Sequence, residues 1–405
     1  MTNKIKFGVL KETKNPPDRR VAVTPRIAKK ITEQFPNVEV YIQKSDYRAI
    51  QDEEYAKLGL TLVDEVNDCD ILIGVKEVAK PTLIPEKKYI YFSHTAKKQS
   101  YNRELLQKSM QLGITLMDHE YFTEENGARV VAFGHWAGIV GAFNGLIAYG
   151  KKFGLYNLKR AKECHDLKEM LDEVKKAKLP PIKILITGGG RVAHGAMETL
   201  APLNLKKVSA DDFLNKTFDE AVYCQIDPDN YVERKDGKAF DLNDFFKNPQ
   251  EYKSTFLPFS KVTDLFIPCH FWDPKSPVFM TPDEMKANDF NIKVIADVSC
   301  DIKYPIPSTI RASTIADPFY GYDPKTGKEV DPFAENAITV MAVDNLPGEL
   351  PRDASEDFGN ALLKNVFPYL FGDDTKGIVK RATILDHGKL TEKFSYLQDY
   401  ADGKE

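Results

Sequence analysis

Short apolar runs recur along the first 135 residues, separated by polar, amphipathic segments. The runs at 4–10, 70–75, 89–93 and 115–117 are predicted strands, and 38–42 alternates apolar with polar positions as a further one. Thr24-Pro25 opens a helix, with proline at its first turn. Strands that alternate with helical segments imply a parallel, doubly wound sheet. Residues 136–153 are small and apolar at helical spacing and predict a buried helix crossing from a first domain to a second. A lysine-rich segment at 159–179 and Pro180-Pro181 then lead into a strand at 184–187. Later strand candidates are 222–224, 265–269, 294–297 and 338–341, and the polar stretch 226–262 reads as a surface insertion. A helix near 354–370 follows Pro351, and the C-terminal segment is expected to pack back on the first domain.

The expected architecture is α/β, with two Rossmann-like, doubly wound parallel-sheet domains and an active site in the cleft between them. Residues 1–136 with 345–405 would form a substrate domain, and 137–344 a dinucleotide-binding domain. Composition changes little in this picture. With 405 residues, 42% hydrophobic and 29% charged, the chain can build two or three cores. A net charge of −4 points to neither nucleic acid nor an anionic membrane as partner. No apolar run reaches the roughly 18 residues of a transmembrane helix. The first strand begins too early for a signal or transit peptide, so a cytoplasmic location is expected. Five scattered cysteines have neither CxxC nor zinc spacing, so they read as reduced thiols and no metal is expected. Small-molecule substrates are the expected partners, and a homo-oligomer is compatible with the chain.

The chemistry begins mid-chain. The strand at 184–187 runs into Gly188, Gly189 and Gly190, followed by Arg191, Val192 and Gly195 in an amphipathic segment. Glycines in a strand-turn-helix context let the backbone approach a pyrophosphate at a helix N-terminus; the alternative is a sharp turn with no ligand. About twenty residues on, an acidic group should end the second strand and meet the adenosine ribose. Asp211 and Asp212 are the candidates and favour NAD. Ser209 as the strand end would tolerate the phosphate of NADP, so the cofactor is NAD or NADP.

Arg20 follows a strand and precedes a helix, at the carboxyl edge of a parallel sheet where ligands bind. A guanidinium there can grip a carboxylate, or be one of a solvated surface pair. Lys76 and His94 end two further strands and should emerge at the same edge, where a depressed lysine and a histidine make an acid-base pair. Arg129 precedes the predicted interdomain helix as a second carboxylate clamp or a buried hinge residue. Asp301, beyond the 294–297 strand, could contact the nicotinamide ribose or a substrate ammonium, or simply cap a turn. The Asn345-Leu346 turn could close over the nicotinamide, or serve only as a loop-to-helix connection.

Taken together, Lys11-Glu-Thr-Lys14, Arg20-Val-Ala-Val-Thr-Pro25, Val75-Lys76-Glu77, the His94 strand end, Asp297 with Asp301, and Asn345-Leu-Pro-Gly resemble the alanine dehydrogenase, transhydrogenase and lysine-forming saccharopine dehydrogenase superfamily. Phe92-x-His94-x-x-Lys97 and Gly127-x-Arg129-Val-Val-Ala-Phe133 look more like the saccharopine dehydrogenase, or lysine–ketoglutarate reductase, branch. That resemblance implies reversible reductive condensation of L-lysine with 2-oxoglutarate to saccharopine, using NAD(P)H. It implies Lys76 and His94 as general acid-base groups, Arg20 and Arg129 on substrate carboxylates, and Lys97 and Phe133 beside the substrate. Asp301 would lie by the nicotinamide. The competing readings are an L-alanine dehydrogenase acting on pyruvate and ammonia, and a non-catalytic dinucleotide-binding sensor.

Overall fold

Apolar runs of this kind are stable only when both faces of a sheet are covered. The computed structural model, which describes residues 4–15 and 18–404, shows two such sheets. The chain divides into two compact units, Met1–Phe133 with Pro351–Glu405, and Gly134–Leu350.

In the first unit β1 (Ile5–Val9), β2 (Val38–Gln43), β3 (Thr61–Val63), β4 (Ile71–Lys76), β5 (Lys88–Phe92) and β6 (Thr115–Asp118) pair in parallel, in the order β6-β5-β4-β1-β2-β3. Chain order reverses between β1 and β4, the switch point at which open α/β sheets bind ligands. One face of the sheet is covered by the helix Pro25–Gln34, through Ile27 and Ile31, and by Phe358 and Leu362 of the helix Pro351–Asn365. Leu105 and Leu106 of the helix Ser100–Gln111 cover the other face with Phe394 and Tyr400.

The second unit holds β7 (Lys183–Thr187), β8 (Lys206–Lys207), β9 (Val222–Ile226), a hairpin of β10 (Val232–Arg234) and β11 (Tyr252–Ser254), β12 (Leu265–Pro268), β13 (Val294–Ala296), β14 (Phe319–Asp323), β15 (Lys328–Val330) and β16 (Ile338–Met341). Its main sheet has the order β8-β9-β7-β12-β13-β16-β14-β15, parallel as far as β16 and antiparallel beyond. The chain then returns to the first sheet, where β17 (Thr383–Asp386) and β18 (Lys389–Leu390) extend the β6 edge antiparallel.

Three expectations change. The helix predicted to cross between domains, Gly134–Phe153, lies wholly in the second unit. It packs on the helix Arg191–Leu200 so closely that a Cβ at Gly138 would lie 1.8 Å from the Val192 carbonyl oxygen, and one at Gly195 2.0 Å from that of His135. The second boundary falls after Leu350 rather than before Asn345, because buried Glu349 ties its loop to Arg160 and Asn144, each at 2.9 Å. The polar stretch 226–262 is also more than a surface insertion. Its aromatic residues Tyr231, Phe245, Tyr252, Phe256 and Phe259 are buried in the second unit's core, whereas the stretch's average polarity reflects the residues between them.

Gly195→Val places two methyl groups where backbone already stands. We expect a loss of about 3 kcal/mol, the upper end of overpacking costs, read as an earlier denaturant midpoint. A midpoint equal to wild type would show that the helix pair tolerates separation.

Candidate functional site

At the carboxyl edge of the first sheet, the loop after β1 and the ends of β4, β5 and β6 contribute polar groups held by their neighbours. Asp18 holds Arg20 on two sides, accepting from Nε at 3.0 Å and Nη2 at 2.6 Å, and it also accepts the Arg20 backbone N–H. Both side chains are 3% exposed. Burial opposes the Asp18 charge, but the Arg20 guanidinium holds its carboxyl well below the usual carboxylate range. Phe133 lies under the guanidinium, 4.3 Å from ring centroid to Cζ, and stacks in turn on Phe358.

Lys76 is the last residue of β4. Burial first, and then the nearby positive charge of Arg20, hold its ammonium below the usual lysine range. Glu12, three residues past the end of β1, accepts the Val75 N–H at 2.6 Å and the Lys76 N–H at 2.8 Å. Burial, reinforced by Asp18, pushes the Glu12 carboxyl up to about 8; the two N–H donors and Arg20 limit the rise. Beside it Lys14 pairs with Glu77 at 2.7 Å.

His94 follows β5 in a left-handed conformation, φ 52°. Asp118, at the end of β6, makes that turn: it accepts the backbone N–H of Ser93 and of His94 and the Ser93 hydroxyl, the last at 2.6 Å. Asp118 also accepts the Glu120 N–H, so one buried carboxylate orients both His94 and Glu120. Glu120 gathers three basic side chains: Arg129 at 2.5 Å, Lys97 at 3.2 Å and His94 Nδ1 at 3.6 Å, the last beyond hydrogen-bond distance. Burial opposes its charge, but His94, Arg129 and Lys97 together lower the carboxyl to about 2. Phe92 links the two groups, packing on His94, His119 and Phe133.

The first unit therefore brings Arg20, Lys76, His94, Lys97, Arg129 and Phe133 to one sheet edge. Sequence reading overlooked the acids that hold them. Asp118 and Glu120 follow an apolar strand as Lys76 and His94 do, so the same strand-end rule points to them.

In the second unit β7 runs into Gly188, at φ 94°, then Gly189 and Gly190, and Gly190 begins the helix Arg191–Leu200. A Cβ at Gly188 would lie 2.9 Å from the Cys269 carbonyl oxygen, whereas one at Gly190 would meet nothing within 4 Å. No side chain caps this helix. Its first N–H groups and the open space at Gly190 form a cradle that fits a pyrophosphate. Val192 and Gly195 face the helix Gly134–Phe153 through close backbone contacts.

The structure corrects the ribose-binding candidate. Ser209 does not end the strand beside the glycine turn; it caps the short helix Ala210–Asn215, and Asp211 is an exposed first-turn residue bonded to Asn215. The strand beside β7 is β9, and it ends at Asp227, whose Oδ1 lies 2.7 Å from where a Gly189 Cβ would be. Two-residue β8, the next strand in the chain, lies at the sheet edge with β9 between it and β7, so its end does not stand beside the glycine turn. Asp297 organises the loop after β13, accepting from Ser299, Cys300 and Thr309. Asp301, farther along that loop, is half-buried, and burial followed by Asp297 pushes it up to about 6. Asn345 precedes the turn Leu346–Glu349, with Leu346 buried.

Residues 8–140 match the family model described as "Alanine dehydrogenase/PNT, N-terminal domain". The chain is 28% identical over 451 residues to "Alpha-aminoadipic semialdehyde synthase, mitochondrial" of Rattus norvegicus, covering 98% of this chain and 48% of that protein. It therefore spans about half the length of that relative. It is 27% identical over 407 residues to "Saccharopine dehydrogenase (NAD(+), L-lysine-forming)" of Yarrowia lipolytica, covering 95% of this chain and 97% of that one. A solved L-alanine dehydrogenase structure superposes with a TM-score of 0.67 at 16% identity, over 99% of this chain and 100% of the other, and so shares the fold. The resemblance seen in the sequence motifs is borne out. No helix among the described residues is long and apolar enough to cross a membrane.

Glu120 is the charge on which this cluster turns. Its carboxyl, ordinarily near 4.5, is lowered to about 2 in the folded chain, so it contributes stability above 4.5 that is lost as pH falls toward 2. Glu120→Gln should be less stable than wild type at pH 6, with the deficit shrinking between about 4.5 and 2. Denaturant midpoints across that range test it, and a pH-independent difference would contradict it.

Proposed function

We propose that this protein reductively condenses L-lysine with 2-oxoglutarate to saccharopine, reversibly, with a nicotinamide dinucleotide. The observation that carries this reading is the first sheet's carboxyl edge, where two guanidiniums flank Lys76 and His94. A keto acid with two carboxylates suits a pair of arginines. Similarity to a saccharopine dehydrogenase across nearly the whole chain supports the same reading.

In this mechanism Arg20 and Arg129 bind substrate carboxylates, with Lys97 beside them and Phe133 holding the plane of Arg20. The lysine amine attacks the keto carbon to give a carbinolamine. Lys76 and His94 then move protons as water leaves and the imine forms. A depressed lysine can release and regain a proton more readily at neutral pH than an ordinary one. A bound reduced nicotinamide would supply hydride to the imine carbon. Gly188, Gly189, Gly190, Arg191, Val192 and Gly195 would hold its pyrophosphate, and Asp301, Asn345 and Leu346 would adjoin its ring. Asp227 would accept the ribose hydroxyls, which favours NAD, because the phosphate of NADP would meet a carboxylate.

Oxidation of NADH and of NADPH, each followed with lysine plus 2-oxoglutarate and with pyruvate plus ammonia, tests this assignment. We expect turnover with the first pair and NADH. Lys76→Met and His94→Asn should each lose roughly 10²–10⁴-fold in kcat, the range for a positioned acid-base group. Turnover only with pyruvate and ammonia would make the protein an alanine dehydrogenase. Cofactor binding without turnover of either pair would make it a sensor.

A further inference from the structure

Lys76 sits at an irregularity. Ile73 pairs with Ile90, whereas Lys76 pairs with Phe92, so three steps along β4 face two along β5. One extra residue therefore bulges out of β4 at Gly74-Val75, and such bulges re-aim the side chain that follows. Consecutive N–H groups of a regular strand point to opposite edges. Here the N–H groups of Val75 and Lys76 converge instead on one carboxyl group, the two oxygens of Glu12. The carbonyl of Gly74, set loose by the same bulge, accepts from Nε2 of His119 at 2.9 Å.

We propose that Glu12 and His119 are positioning residues that hold the β4 bulge from both sides and thereby aim the Lys76 ammonium. The proposal rests on the assignment of Lys76 to the chemistry. Both residues are well placed for the task. Glu12 is anchored by its neighbours, since Thr13 accepts the Ala79 N–H at 2.9 Å and Lys14 pairs with Glu77, stitching residues 12–14 to 75–79. His119 is fully buried among Phe92, Phe122 and Phe358, and burial lowers it to about 4, so at neutral pH it is an uncharged donor to one carbonyl. Gly74 admits the clamp: a Cβ there would come within 3.3 Å of the Glu12 carboxyl oxygen Oε1 and of the Lys76 carbonyl oxygen. A glutamine in the same pose would turn its NH2, which only donates, toward one of the two N–H groups that now meet separate oxygens.

The experiment measures kcat, KM and cofactor affinity in the full chain for Glu12→Gln, His119→Leu and His119→Gln, and for Glu12→Gln combined with Lys76→Met. Glu12→Gln should lower kcat on the order of 10²-fold, the cost of a displacement near 1 Å, with KM and cofactor affinity within about threefold of wild type. His119→Leu should lower kcat by about tenfold, and His119→Gln, which keeps a donor, should recover most of it. In the Lys76→Met background, Glu12→Gln should have no further effect, because it acts through Lys76. Equal losses in both backgrounds would overturn the proposal, as would a normal kcat in Glu12→Gln. Should Glu12→Gln not fold, the His119 pair decides: equal rates for its Leu and Gln variants overturn the clamp. Full activity of Lys76→Met on its own would instead remove the functional reading beneath it.

Discussion

Charge at the carboxyl edge of the first sheet is tolerated only because it is paired. An ion left alone in a protein interior costs several kcal/mol, and breaking one partner of a buried pair leaves that cost exposed. Arg20 and Asp18 are both almost fully covered, and Asp18 holds the guanidinium at two points and the Arg20 backbone N–H at a third. Glu120 does the same for three basic groups at once. Glu120 also ties the loops after β5 and β6 to one geometry, because His94 and Lys97 come from the first and Arg129 from the second. The aim of Arg20, Arg129 and Lys97 depends on that pairing.

The second unit obeys a different constraint, which is space. Helices Gly134–Phe153 and Arg191–Leu200 meet backbone to backbone at Gly138 and Gly195, and the glycine turn sits at the start of the latter helix. Close packing thus fixes the axis of the helix whose first N–H groups form the phosphate cradle. Gln225 adds a lock from β9, donating to the Gly188 carbonyl at 3.2 Å and to Asp227 at 3.0 Å. The turn and the acid proposed to read the ribose are therefore held by the same side chain.

Much of this was legible in the sequence. Long buried strands such as β4 and β7 stand out as apolar runs, and the residues that terminate them are easy to place at a sheet edge. The glycine turn is legible because few other residues accept its backbone. What failed was strand order and local detail. Two-residue β8 follows β7 in the chain, but β9 takes the place beside β7 in the sheet, so the strand end next to the glycine turn leads into Asp227 and not into Asp211. The aromatic residues of 231–259 were hidden by the polar ones between them. A bulge is invisible for a different reason: one extra residue leaves the apolar run of β4 intact, and only the pairing with β5 reveals it. The carboxylates were missed because a search for anion-binding groups selects cations and passes over the acids that position them.

Those internal acids bear on how a substrate could bind. Under the proposed reading, a carboxylate that reaches Arg129 meets a guanidinium already engaged by Glu120, and one that reaches Arg20 meets Asp18. Binding then exchanges or shares partners and does not neutralise a bare charge. Such an exchange gives little net attraction, because the resident pair must be loosened as the new one forms. It gives selectivity instead: a ligand with a single carboxylate can satisfy one arginine only, whereas a dicarboxylate can engage both. The spacing of Arg20 and Arg129 would then act as the ruler, and the resident acids would keep the two guanidiniums ordered until a ligand of the right length arrives. Preorganisation of this kind limits the side-chain entropy lost on binding. It also explains why the acidic residues are buried more deeply than some of the cations they hold, as Glu120 is 8% exposed beneath Arg129 at 48%.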